Sequence, residues 1–67
     1  MKEAIVKINP HVSIQVTLGE VDGVSVLDFY WEYESDGQVY GGGEGIPSMN
    51  TSEYLKFHEA MTELLAS

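Results

Sequence analysis

The chain has no cysteine, no arginine and only two prolines, and its basic side chains are Lys2, Lys7 and Lys56. Without cysteine, no disulfide staples the fold and nothing calls for an oxidising compartment. With so few cations, the chain lacks the means to neutralise phosphates, which argues against direct binding to DNA, RNA or an anionic membrane. No apolar run approaches the roughly 20 residues of a transmembrane helix. Met1-Lys2-Glu3-Ala4 leads into no apolar run of signal-peptide length. A cytoplasmic location is the default expectation. Asn50-Thr51-Ser52 satisfies a glycosylation sequon, which has no meaning without a secretory signal.

What is abundant is negative charge. Eleven carboxylates give 67 residues a formal charge of −8. The apolar fraction of 43% is nevertheless that of a globular chain. The length predicts one domain, residues 1–67. A chain of this size buries only about 60% of the surface its unfolded form exposes. Its stability should be a few kcal/mol, with little room for an internal active site. Opposite potentials steer association, so a partner selected by charge is basic.

Hydrophobic alternation predicts strands at about 3–8, 12–21, 24–35 and 38–42. Asp22-Gly23, between Val21 and Val24, is a two-residue hairpin signature. Counting back from it pairs Leu18 with Leu27, Val16 with Phe29, Ile14 with Trp31 and Val12 with Tyr33. Each pair puts large apolar groups on one face. A one-residue slip would set one strand's apolar side chains against the other's polar ones. The opposite face pairs Thr17 with Asp28, Gln15 with Tyr30, Ser13 with Glu32 and His11 with Glu34. That is the pattern of an antiparallel sheet wet on one side.

Asp36-Gly37 repeats the turn signal and predicts that Tyr33 pairs with Tyr40 and Trp31 with Gly42, leaving room for the indole. At the first turn, a three-residue loop Asn9-Pro10-His11 pairs Ile8 with Val12, Val6 with Ile14 and Ala4 with Val16. A two-residue loop would bring Lys7 to the apolar face, so the longer loop is preferred.

Asn50 is a good helix N-cap with Glu53 at the capping-box position, and Met49 and Tyr54 stand where a hydrophobic staple would sit. Tyr54, Phe57, Met61, Leu64 and Leu65 recur at helical spacing. The expected helix covers about 51–66 and packs that stripe on the apolar sheet face. The fold class is therefore α+β: a four-stranded antiparallel β-meander packed against one C-terminal helix.

Catalytic motifs are weak throughout. His58-Glu59-Ala60-Met61-Thr62 begins like a zinc-protease helix, but Thr62 stands where the second histidine must be. Glu59 and Glu63, one helical turn apart, do not make a cation cage. Gly41-Gly42-Gly43-Glu44-Gly45 lacks the Lys-Ser/Thr of a phosphate-binding loop, its glutamate would repel phosphate, and it reads as a flexible sheet-to-helix connector. His11 opposite Glu34 suggests a charged surface pair, pH-sensitive in principle. No serine, cysteine or threonine has a base partner. The expectation is a non-enzymatic protein with no cofactor and no metal.

The most suggestive group is the open sheet face. Asp28, Tyr30, Glu32 and Glu34 alternate along one strand, with Asp36 at the turn and Glu44 beyond. Alternate strand positions lie about 6.7 Å apart, comparable with the through-space separation of successive phosphates on a nucleic-acid strand. Tyrosine beside them is a rigid anchor suited to interfaces. The leading expectation is a small acidic binding protein that uses charge mimicry to occupy a basic, nucleic-acid-binding site of a larger protein complex. Phage-encoded inhibitors of host defence complexes share this size, charge and lack of catalytic groups, a likeness of class and not of sequence. The alternative is a structural or oligomerising module acting through its sheet edges or through Ile5 and Val26 on the open face.

Overall fold

A computed structural model describes residues 2–67. Four strands, β1 (Lys2–Lys7), β2 (Val12–Val21), β3 (Val24–Ser35) and β4 (Gln38–Glu44), precede one helix, α1 (Thr51–Ala66). The sheet is an antiparallel meander in the order β1-β2-β3-β4. The α+β architecture expected from the sequence is the one observed.

Both Asp-Gly turns adopt the doubly left-handed geometry that suits a twisted hairpin. Asp22 and Gly23 have φ of 52° and 79°, and Asp36 and Gly37 have φ of 53° and 78°. The β2–β3 register follows the first turn without slippage, from Val21 opposite Val24 to Val12 opposite Tyr33. The β1–β2 register is the one the three-residue loop requires, with Ala4 opposite Val16 and Val6 opposite Ile14. Asn9 closes that loop, its Oδ1 accepting from the backbone N–H of His11 and of Val12, both at 2.8 Å. Its Nδ2 donates to the Glu53 carboxylate, tying the first turn to the start of the helix.

The β3–β4 register departs from expectation. Ser35 faces Gln38 and Glu34 faces Val39, but Tyr33 then faces Gly41 and Trp31 faces Gly43. Tyr40 is an extra residue, a bulge, and the expected pairs of Tyr33 with Tyr40 and Trp31 with Gly42 do not form. Glycines 41 to 43 carry no side chain that would resist the shift. Gly42 sits instead against the backbone, where an added Cβ would lie 2.3 Å from the Trp31 carbonyl oxygen. Gly43, not Gly42, lies beside the indole. The glycine tract is thus mostly strand; the connector is Gly45–Asn50. Strand β4 runs two residues beyond the expected end, and β1 starts and stops one residue early.

The core lies between the apolar face of β1 and β2 and the helix. Ile8, Ile14 and Val16 are fully buried, joined by Val6, Phe57 and Leu64. Removing such a side chain from water is worth about 1.5–3 kcal/mol. Phe29 and Phe57 meet with ring centroids 5.9 Å apart. The helix lies closest to β1 rather than centrally over the sheet. For that reason the expected five-residue stripe is only partly buried: Tyr54 and Leu65 are 49% and 55% exposed, while Ala60 and Met61 pack against the core. Met49 also packs there, whereas Tyr54 tilts towards His58 with ring centroids 5.9 Å apart. Asn50 caps the helix as expected: its side chain accepts from the Glu53 N–H, and Glu53 accepts from the Asn50 N–H.

Candidate functional site

The open sheet face is built from three rows of side chains running across the strands. In the first, Glu3 faces Thr17, which faces Asp28. In the second, Ile5, Gln15, Tyr30 and Glu44 follow one another across all four strands. In the third, Lys7 faces Ser13, Ser13 faces Glu32, and Glu32 faces Gly42. Neighbouring strands are about 4.8 Å apart and alternate positions about 6.7 Å apart. Tyr30 therefore has Asp28 and Glu32 on its own strand and Glu44 on the next. Tyr30, on the inner strand β3, is 43% exposed and Ile5, on the edge strand β1, is 75% exposed, so the row carries an aromatic and an aliphatic side chain, with carboxylates gathered around the tyrosine.

Two hollows mark this surface. One of about 490 Å³ lies where β4 ends beside β3, bounded by Thr17, Leu27, Asp28, Phe29, Tyr30 and Glu44 among others. The other, about 150 Å³, is lined by Ile5, Ser13, Gln15, Tyr30 and Glu32. Tyr30 and Gln15 border both.

Of the residues singled out from sequence, Asp28, Tyr30, Glu32 and Glu44 come together in this way. Glu34 follows Glu32 at the next alternate position of the same strand, and Asp36 stands apart from the group. Glu34 lies past the bulge opposite Val39, and Asp36 is an exposed turn residue at the far end of β3. His11 does not meet the Glu34 carboxylate as a charged pair. Its Nδ1–H donates to the Glu34 backbone carbonyl at 3.0 Å, and its ring stacks on Tyr33 with centroids 5.4 Å apart. Two face residues escaped the sequence reading. Glu3 and Lys7 have the same parity as Ile5, so the first-turn register contained the signal for both.

Away from the face, the Asn9 side chain, the Asn50 backbone N–H and Lys56 hold the Glu53 carboxyl below its ordinary pKa, with Asn9 contributing most. Thr62 donates its hydroxyl to the His58 carbonyl at 3.0 Å, so it serves the helix backbone. Among the described residues, no group of three or more His, Asp or Glu side chains is arranged to hold a metal ion. Among the same residues, no helix is long and apolar enough to cross a membrane. What the open face offers is a negative field around an aromatic anchor, exposed enough that its reach falls to roughly 10 Å at 0.1 M salt.

Comparison with protein-family models, with curated proteins and with solved structures finds no match for this chain.

Proposed function

We propose that this protein is a small acidic binding protein, without catalytic activity of its own, that occupies a basic nucleic-acid-binding site of a larger protein. The observation that carries the reading is the grouping of Asp28, Glu32 and Glu44 around Tyr30 on one face of the sheet. Carboxylates at phosphate-like spacing attract the lysines and arginines that would otherwise bind a nucleic-acid strand. The tyrosine supplies contact area that charge alone does not, and a planar face for side chains that normally meet bases. Inhibition of a nucleic-acid-handling complex, such as a host defence complex, is the use that fits a protein with this surface and this size.

The test is capture from a nuclease-treated cell lysate on immobilised protein. Nucleic-acid-binding proteins should be retained at low salt, released at high salt, and displaced by single-stranded DNA. Retention that is indifferent to salt, or confined to neutral partners, contradicts charge-led docking.

A second reading rests on Ile5, an aliphatic side chain left 75% exposed on the open face of the edge strand β1. In a structural or oligomerising module this residue would be covered by another copy. Sedimentation separates the two: a tight homo-oligomer that buries the open face removes the inhibitor reading. The net charge of −8 opposes such self-association, most strongly at low salt.

A further inference from the structure

Strand β3 is longer than the strand beside it. Its partner β4 ends at Glu44, opposite Tyr30, and one further bond, from the Gly45 N–H to the Phe29 carbonyl at 2.9 Å, closes the ladder. Among the described residues, β3 pairs from Val24 to Leu27 with β2 alone. A two-residue hairpin makes Val21 and Val24 a hydrogen-bonded pair, and the pattern alternates from there. Val26 and Asp28 therefore spend their backbone groups on β2, and the Glu34 N–H, donating to the His11 carbonyl at 2.7 Å, is in the same phase. Ser25 and Leu27 are out of phase. Their N–H and C=O groups point away from β2, along the same edge as the Phe29 carbonyl.

We propose that this edge of β3, from Val24 to Phe29, takes an extended basic segment of a partner protein as a fifth strand. The segment continues the line of β4 from the point where β4 leaves the sheet. Unpaired strand edges are templates for strand addition, in which main-chain bonds supply affinity and alternate side chains supply specificity. The hollow of about 490 Å³ bounded by Leu27, Asp28, Phe29 and Glu44 lies at this edge. The two faces dictate the pattern of the incoming strand. A residue opposite Asp28 projects on the open face, between the Asp28 and Glu44 carboxylates, and is Lys or Arg. A residue opposite Leu27 projects on the other face, along the half-buried Leu27 and Phe29 side chains, and is apolar.

Charge opposes a second copy as the occupant. Two chains of −8 repel one another, and each would bring its own Asp28 to the shared edge. The same charges attract a cationic strand. The proposal goes beyond the acidic-face reading, because it requires backbone pairing at one place and not merely negative charge.

Amide exchange with two capped hexapeptides of equal charge tests it. Lys-Val-Lys-Val-Lys-Val can pair as a strand, whereas Lys-Pro-Lys-Pro-Lys-Pro lacks the alternate N–H groups and the extended pairing geometry. The amides of Ser25 and Leu27 should exchange quickly in the free protein and slow when the valine peptide is added. The valine peptide should bind about tenfold or more tightly than the proline peptide. Ser25→Pro, which removes only an outward N–H, should lower valine-peptide affinity by about tenfold while leaving the Val26 and Asp28 amides protected. Equal binding of the two peptides overturns strand addition and leaves the acidic-face reading intact. Failure of the valine peptide to bind, or protection confined to other edges, also overturns it. Protection of Ser25 and Leu27 in concentrated protein without peptide would assign the edge to a second copy and overturn the basic occupant. If Ser25→Pro does not fold, the wild-type exchange pattern alone decides.

Discussion

The two halves of the sheet face different solvents. Strands β1 and β2, with Ile8 just after β1, send Val6, Ile8, Ile14 and Val16 under the helix, and all four are buried. The far half of the hairpin is not sealed by the helix: on the same face as Ile14 and Val16, Leu18 and Leu27 are only half-buried, and Glu20 and Ser25 beyond them are exposed. The molecule measures 40 × 21 × 18 Å, longer than a sphere of its mass would be. One half is a small core sealed by a short helix. The other is a ribbon that extends the open face and leaves an edge unpaired. A chain this small cannot bury both halves, so the difference separates residues that hold the fold from residues available to a partner.

The largest expected effect breaks the sealed half. Ile14→Ala removes a side chain with no exposure and should cost about 2–5 kcal/mol, enough to leave most of the chain unfolded. Ile5→Ala, one strand away on the opposite face, should change stability by no more than about 0.5 kcal/mol. Urea denaturation of the two variants checks the contrast. A severe loss from Ile5→Ala would mean that the open face is part of the fold.

The next effect concerns the bulge. Gly42→Ala forces a methyl against the Trp31 carbonyl from a backbone with φ of 150°, and should cost about 1–3 kcal/mol. Gly41→Ala, with nothing within 4 Å of its added Cβ, should be close to neutral in thermal melts. Equal melting temperatures for the two would contradict the observed β3–β4 register.

A smaller effect is the pH dependence of the tie between the first turn and the helix. The Glu53 carboxyl is held below its ordinary pKa in the folded chain, chiefly by Asn9. Its contribution is therefore present above the unfolded value of about 4.3 and is lost as pH falls through the lower folded value. The stability advantage of the wild type over Glu53→Gln should be constant near neutral pH and shrink below about pH 4.3. An advantage that grows with acidification would reverse the sign of the argument.

Much of the architecture was legible because independent signals agreed. Asp22-Gly23 set the turn, and the alternation from Val12 to Tyr33 admitted only one register around it. The β4 register was not legible, because Gly41, Gly42 and Gly43 have no side chains to favour one pairing over another. The helix could be placed on the apolar face but not along it. Tyr54 and Leu65 read as core because a periodicity does not record how far a helix is offset towards β1. For the site, alternation placed Asp28, Tyr30 and Glu32 on one face. Glu34 continues that alternation beside the bulge in β4, Asp36 lies in the turn beyond the strand, and Glu3 and Lys7 on β1 were overlooked.

Acidic residues lie on the helix as well as on the sheet, and one comparison at constant net charge decides between them. Glu32→Lys/Glu34→Lys places the reversal on β3, and Glu59→Lys/Glu63→Lys places the same reversal on exposed positions of α1. With thermal melts confirming that both variants fold, capture of nucleic-acid-binding proteins from a nuclease-treated lysate is the measurement. The sheet variant should lose the capture and the helix variant should keep it. Equal losses would reduce the open face to one part of a general negative charge, and loss from the helix variant alone would move the binding surface to the other side of the molecule.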